Sequence, residues 1–538
     1  MTTGESLPQS RSRRDVVLYG FGALTTGALG GRLQTLAPSP NDGGLPNAGE
    51  SSPGAVFVSD AYRQITDLDD SAQIERALAD ARERNIKHVI LCNASYTISR
   101  PIDLAGFDGL TLRGNGVHST KVHAADGVFI HTAITATGPV SNITIEHLSV
   151  VGSAHDDVTE PRRARTFDAG GFTSAFFFRG DRVPQSPYPA IRNVALRSVS
   201  VYGTKGLPAL FTGVRGNATI ADCFFDNCLD VGFTFNESVH FTGNRVTRSA
   251  DNGVSLSRGN ESVVCVGNSF EMCAFWAIWI GGYLATGSGN GFRDPSAPGP
   301  VSVTVVGNVG VNMGFGGVSA QGGPKNFVIS GNSFSDLKRG PVGHSQKGAD
   351  QVGIGIYVTG HPVAQPEAVT HYAEGFVIAN NMISDAQLGG IVLRGAKNGM
   401  VSGNLILRAG SFHRADGKTV VTVDEIDQNY GIAADALYSE SLSNITIQQN
   451  VIIDDRKSPI TNRAVWVGAA SNATVANNVA TGMRTALSET PSTLITKSES
   501  QRPNPQQVPA GTQLFDLTLG KPIWSNGKMW VDASGAAL

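Results

Sequence analysis

Two aspartates set the chemistry this sequence could perform. Asp230 opens the phrase Asp-Val-Gly-Phe-Thr-Phe, and Asp251 opens Asp-Asn-Gly-Val-Ser-Leu 21 residues later. Read as period-2 strands, Val254 and Leu256 point inward, which turns Asp251, Gly253 and Ser255 outward. The same parity exposes Asp230, Gly232 and Thr234. Equivalent positions on adjacent strands would stack the two carboxylates about 4.8 Å apart at the backbone. Carboxylates that close do not both ionise freely, so one can act as general acid and the other as nucleophile or base. A separation of about 5 Å favours retention or transfer over inversion. The competing reading is an Asx turn, in which the carboxylate only accepts backbone N–H groups. Phe315, Gln351, Leu388 and Asn429 occupy the same corner elsewhere, so acid is not required there. Asp226 and Glu237 are reserve acids, with plain surface charge as the alternative.

The same parity exposes Phe275, Ala277 and Trp279, and on later strands Ser319, Tyr357, Arg394, Asp435 and Trp466. A row of acids, hydroxyls, aromatics and one arginine suits a polyhydroxylated chain, with sugar rings on Trp and hydroxyls on Asp and Ser. The expected substrate contacts are Trp279, Ser255, Asn236, Glu237, Tyr357 and Arg394. Trp276 has the opposite parity and is expected in the core.

The elements that position these residues repeat. One phrase, apolar-x-apolar-x-Gly-Asn-x-apolar, recurs with its asparagines at 244, 268, 308, 332, 381, 404, 450 and 478, and with Asp222 as an earlier variant. The shortest steps are 23 to 24 residues, and steps of 40, 49 and 46 contain insertions. A second phrase, a turn and then Gly-apolar-x-apolar, follows each first one. Short strands at this spacing, without helices between them, describe a solenoid. Each coil leaves strand edges that only the next coil can satisfy, so stacking is obligatory. The repeated asparagine is expected to form an internal amide ladder. The insertions 281–300, 339–351, 359–375 and 409–430 carry His344, Lys347, Asp350, His361, His371, His413, Glu425 and Asp427, positions suited to clefts and lids.

Composition narrows the function. The 538 residues include 42 Lys+Arg against 45 Asp+Glu, so there is no basic excess with which to neutralise nucleic-acid phosphates. Charged residues make up 16%, under the usual ~25%, and the 64 glycines exceed the usual ~7%. Both favour tightly turned β structure. No apolar run reaches the ~18 residues of a membrane span. The five cysteines, Cys92, Cys223, Cys228, Cys265 and Cys273, form no CxxC pair and lack histidines at zinc spacing, so no metal site is expected and they read as small buried apolar groups.

Before the repeats, Asp69-Asp70-Ser71 leads into a segment with Ile74, Ala77, Leu78 and Ala81 at helical spacing. A capping helix followed by these strands resembles the pectate-lyase-like superfamily. That implies an all-β, right-handed parallel β-helix over residues 55–505, often assembled as a homotrimer. Arg13-Arg14 ahead of the weakly apolar stretch 16–29 resembles a bacterial twin-arginine export signal, which implies a secreted or cell-surface protein. Residues 1–37 are assigned to that signal, 38–54 to a linker, and 506–538 to a short capping β segment in which Asn526-Gly527 marks a hairpin.

The expected function is cleavage or rearrangement of glycosidic bonds in a poly- or oligosaccharide by Asp230 and Asp251, with no cofactor. The first alternative is a lyase or epimerase on uronate chains, which would bring in calcium. The second is a non-catalytic glycan-binding or tailspike-like surface protein.

Overall fold

The computed structural model describes residues 54–58, 60–154, 166–183, 187–281, 299–337, 353–360, 372–410, 429–435, 442–468 and 473–483, and, near the C-terminus, 495–497, 502, 504–507, 513–516, 518–519, 521–532 and 535–538. The export-type segment, the linker up to residue 53 and the insertion residues His344, Lys347, Asp350, His361, His371, His413, Glu425 and Asp427 lie outside the described residues.

Among the described residues, the coils supply short strands to three parallel sheets of 14, 13 and 12 strands, here sheets A, B and C, and a complete coil gives one strand to each. In one coil Ser238–Thr242 lies in sheet A, Arg245–Thr247 in sheet B and Val254–Ser257 in sheet C. Ser262–Val266 then returns to sheet A beside Ser238–Thr242. Every sheet follows chain order, one strand per coil, in a right-handed parallel β-helix, the hand that parallel crossovers adopt.

The Gly-Asn phrase forms the corner between sheets A and B. Gly243, Gly267, Gly307, Gly331 and Gly403 have φ between 64° and 67°, and Asn380, Gln449 and Asn477 adopt the same left-handed conformation. The asparagine after each is buried. Asn268 Nδ2 donates to Asn308 Oδ1 at 2.9 Å and to the Phe241 carbonyl at 2.9 Å, and its backbone N–H donates to Asn308 Oδ1 at 3.0 Å. The amide ladder continues without a break from Asn244 to Asn478. Asp222 does not extend it. The Cys223 N–H donates to Asn244 Oδ1, and exposed Asp222 instead takes the left-handed place of the glycine, at φ 55°.

The glycine of the second phrase has a different cause. A Cβ on Gly355 would lie 2.5 Å from the Gly390 carbonyl, and one on Gly390 would lie 2.5 Å from the Gly431 carbonyl. At these two positions the backbone of the next coil approaches too closely for a side chain.

The interior is filled by inward residues of all three sheets, among them Phe178, Phe211 and Phe233, whose rings meet edge to face. The helix Ser71–Glu83 closes the N-terminal end by burying Ile74, Ala77, Leu78 and Ala81, the face its spacing predicts. Cys223, Cys228, Cys265 and Cys273 are buried free thiols, whereas Cys92 is only partly buried.

A separate four-stranded sheet contains Ile495–Lys497, Gln513–Asp516, Lys521–Ser525 and Trp530–Val531. The hairpin at Asn526-Gly527 has a longer loop than a two-residue turn, because Ser525 pairs with Trp530. Asn526 Oδ1 accepts the N–H groups of Lys528 and Met529 at 2.9 and 2.8 Å, an Asx turn. Among the described residues, no helix is long and apolar enough to cross a membrane.

Candidate functional site

The corner from sheet B to sheet C varies most from coil to coil. Asp230 ends one such corner, residues 227–230, and Asp251 lies within the next, residues 248–253. The 21-residue step holds at the start of the turn, where Ser200 to Tyr202 and Arg245 to Thr247 flank Phe224 to Asp226 and the Ala250 N–H donates to the Cys228 carbonyl. It fails at the end of the turn. Val231 pairs with Val254, a 23-residue step, so two extra residues separate Asp251 from its strand. The expected strict stacking of Asp230 under Asp251 is corrected accordingly. The acids share one corner of the helix, but no ladder pair joins them, and the register has shifted by two residues where their strands begin.

A polar network joins them instead. The Ser255 hydroxyl donates to Asp230 Oδ2 across the coils. Asp251 Oδ1 accepts the backbone N–H of Asn252 at 3.0 Å and its Nδ2 at 3.1 Å. That Nδ2 lies 3.3 Å from Ser255 Oγ, and Asn252 Oδ1 accepts the Trp276 N–H at 3.2 Å from the following coil. Asn252 therefore links Asp251, the serine that holds Asp230, and the first residue of the next strand in sheet C. Its position directly after Asp251 was the only sequence signal for this role. Both aspartates are partly exposed. Beneath them the buried Cys273 thiol is pushed up to about 12, by burial first and with added contributions from the Asp230 and Asp251 charges.

An apolar strip continues outward along sheet C. Phe275 and Phe315 meet at 4.6 Å, and Trp276 stacks on Tyr357 at 6.1 Å with an interplanar angle of 6°. Trp276 is thus buried, as its parity predicts, but within this outer cluster rather than among the residues of the main core. The reason lies in the register: Trp276 pairs with Gly316, which has no side chain, and its ring crosses that gap to reach Tyr357. Trp279 is partly exposed beside the cluster, and its ring covers Gly281.

Several expected contacts sit elsewhere. Asn236 is fully buried, with Nδ2 bonded to Asn260 Oδ1 at 3.1 Å and to the Phe211 carbonyl at 2.9 Å, so it does not face outward. Tyr357 is buried by its stacking partner. Arg394 is buried too and pairs in register with Thr359 and Asp435, whereas Tyr357 pairs with Val392. Tyr357 and Arg394 thus stand in two different register columns, not in the single row expected. Ser255 is mostly buried, occupied by its bond to Asp230. Glu237 is exposed and accepts the Gly216 N–H at 2.8 Å. Asp226 is buried in an ion pair with Arg248 and accepts the Thr247 hydroxyl at 2.5 Å, a structural engagement. Among the described residues, no three His, Cys, Asp or Glu side chains are grouped to hold a metal ion.

No protein-family model matches the chain, and no curated protein matches it. Solved structures do show similarity. Tailspike protein 3 of bacteriophage CBA120 is 14% identical with a TM-score of 0.46, over 90% of this chain and 69% of that one. The catalytic unit of a thermostable GH87 alpha-1,3-glucanase from Streptomyces thermodiastaticus is 15% identical with a TM-score of 0.44, over 81% of this chain and 70% of that one. The A-module of an Azotobacter vinelandii mannuronan C-5 epimerase is 14% identical with a TM-score of 0.35, over 79% of this chain and 96% of that one.

Proposed function

We propose that this chain is a carbohydrate-active enzyme that cleaves or rearranges glycosidic bonds, with Asp230 and Asp251 as its acid pair. The observation that carries this reading is the network in which Ser255 and Asn252 orient two partly exposed aspartates at one corner, beside an aromatic strip. One carboxylic acid protonates the leaving glycosidic oxygen while the other, as carboxylate, attacks the anomeric carbon or activates the acceptor. Ser255 and Asn252 keep the two groups from rotating away. Trp279 supplies an apolar face for a sugar ring. Export through residues 1–37 and assembly as a homotrimer belong to the same proposal.

The test is digestion of neutral and acidic glycans by the full chain, with and without EDTA, followed by mass and by ultraviolet absorbance of unsaturated products. Hydrated or anhydro products that are indifferent to chelator support the acid pair. Unsaturated products lost with chelator would replace it with a calcium-assisted lyase. Absence of any product across the panel would favour the binding protein.

A further inference from the structure

The corner before Asp230 carries a cation in an aromatic setting. Lys205 lies in the turn 203–208, which also leads from sheet B into sheet C, one coil before the turn 227–230. The two turns are tied directly, since the Leu229 N–H donates to the Gly206 carbonyl at 3.1 Å. Lys205 is itself anchored, with its N–H on the Phe172 carbonyl at 2.9 Å. Its Nζ sits 5.3 Å from the centre of the Phe129 ring and 5.6 Å from that of Phe167. Phe129 is 58% exposed, and its register partner is Gly171, which has no side chain to cover the ring. His131, the next outward residue of the same strand, is exposed and sets its ring edge-on to Phe177 at 5.7 Å.

Aromatic faces attract an ammonium group but accept none of its three N–H bonds in the manner of an oxygen. A cation poised there is pre-positioned for an anion that arrives together with an apolar surface. A sugar bearing a carboxylate or sulfate has both, with C–H groups for the exposed Phe129 face and anionic oxygens for Nζ. The position also has an electrostatic logic. An anionic sugar beside the Asp230 and Asp251 carboxylates would be repelled, and a lysine on the adjoining corner offsets that repulsion.

We propose that Lys205, Phe129 and Phe167 form an anion-selecting subsite on the N-terminal side of the acid pair, which takes a sugar unit carrying a carboxylate or a sulfate. The subsite's place in a substrate track rests on the glycosidic reading above, whereas its ligand preference does not. Binding, not turnover, therefore tests it, and the result stands even if the acid pair proves inert.

The experiment is calorimetric titration of the full chain with an oligogalacturonate, with a sulfated dextran oligosaccharide and with a neutral malto-oligosaccharide. One anionic glycan is expected to bind about tenfold or more tightly than the neutral one, the discrimination of one charge-assisted contact. Which of the two binds identifies carboxylate or sulfate as the group read. Lys205→Ala is expected to erase the preference and Lys205→Arg to retain most of it. Lys121→Ala, which removes an exposed cation of sheet B, is expected to leave it intact. Equal binding of the neutral glycan, no binding of either anionic one, a preference that survives Lys205→Ala, or an equal loss in Lys121→Ala would each overturn the proposal.

Discussion

The hydroxyl of Ser255 donates to Oδ2 of Asp230, a residue of the preceding coil, while Asn252 Nδ2 approaches the same hydroxyl at 3.3 Å. Serine thus stands between the two acids, accepting from the Asp251 side and donating to the Asp230 side. A hydrogen bond to a charged group is worth about 1.5–3 kcal/mol. Ser255→Ala is therefore expected to lower kcat by roughly ten- to a hundredfold with KM little changed, once a cleaved glycan is in hand. Steady-state kinetics on that glycan check it, and an unchanged kcat would separate the serine from the chemistry.

The asparagine ladder makes a stability prediction that does not depend on function. Asn308 Oδ1 accepts both the backbone N–H and the Nδ2 of Asn268, while its own Nδ2 donates to Asn332 at 2.9 Å. Asn308→Ala leaves several buried groups without partners, at about 1–3 kcal/mol each. Urea unfolding should show a midpoint shift equivalent to about 3 kcal/mol or more. A loss under about 1 kcal/mol would mean that water or local relaxation replaces the ladder.

Two glycines of the repeat should respond differently to substitution. Gly390 is confined by space, with the Gly431 carbonyl 2.5 Å and Ile406 Cγ2 2.6 Å from any added Cβ. Gly267 has open space but φ of 67°. Gly390→Ala is expected to cost about 1–3 kcal/mol by overpacking, and Gly267→Ala about 1–2 kcal/mol by backbone strain. Asparagine separates the two causes. Gly267→Asn should recover much of the loss, since Asn380 and Asn477 adopt that conformation on other coils, whereas Gly390→Asn should be worse than alanine. Thermal unfolding of the four variants decides it.

Acid stability should depend on Asp454. Burial alone would raise its carboxyl, but Arg456 and the N–H groups of Thr461 and Ile460 outweigh that and hold it well below the usual carboxylate range. A depressed folded-state value means that the contribution is complete above the unfolded value, about pH 4, and is lost as the pH falls toward the folded value. Asp454→Asn is therefore expected to destabilise the protein clearly at pH 7 and progressively less below pH 4. A destabilisation that grows on acidification would contradict the sign.

The architecture was legible because its causes are local and repeated. A left-handed corner favours Gly or Asn, a ladder needs Asn, and close backbone approach favours Gly, so coil after coil spells a similar phrase. The site was less legible because its corner does not repeat. Asp230 and Asp251 were visible as acids, but the two residues added between Asp251 and Val254 shift the register, and spacing counted from the acids alone hides that shift. Trp276 is buried, as its parity predicts, but the cluster that takes it depends on Gly316, a residue of the next coil. Asn236, an expected substrate contact, is held with Asn260 at a different corner from the long ladder, a pairing that the Gly-Asn phrase does not mark. Lys205 lies in a turn whose partners, Phe129 and Phe167, belong to earlier coils, a contact that periodicity does not encode.

The central claim is that both acids act on a glycosidic bond. The most direct measurement compares Asp230→Asn and Asp251→Asn with the unaltered chain on a glycan that the latter cleaves, with circular dichroism to verify the fold. Loss of kcat by roughly a hundredfold or more in each variant, the scale of a general acid–base group, is the expected result. Full turnover in either variant, with the fold intact, would contradict the account and remove that aspartate from the chemistry.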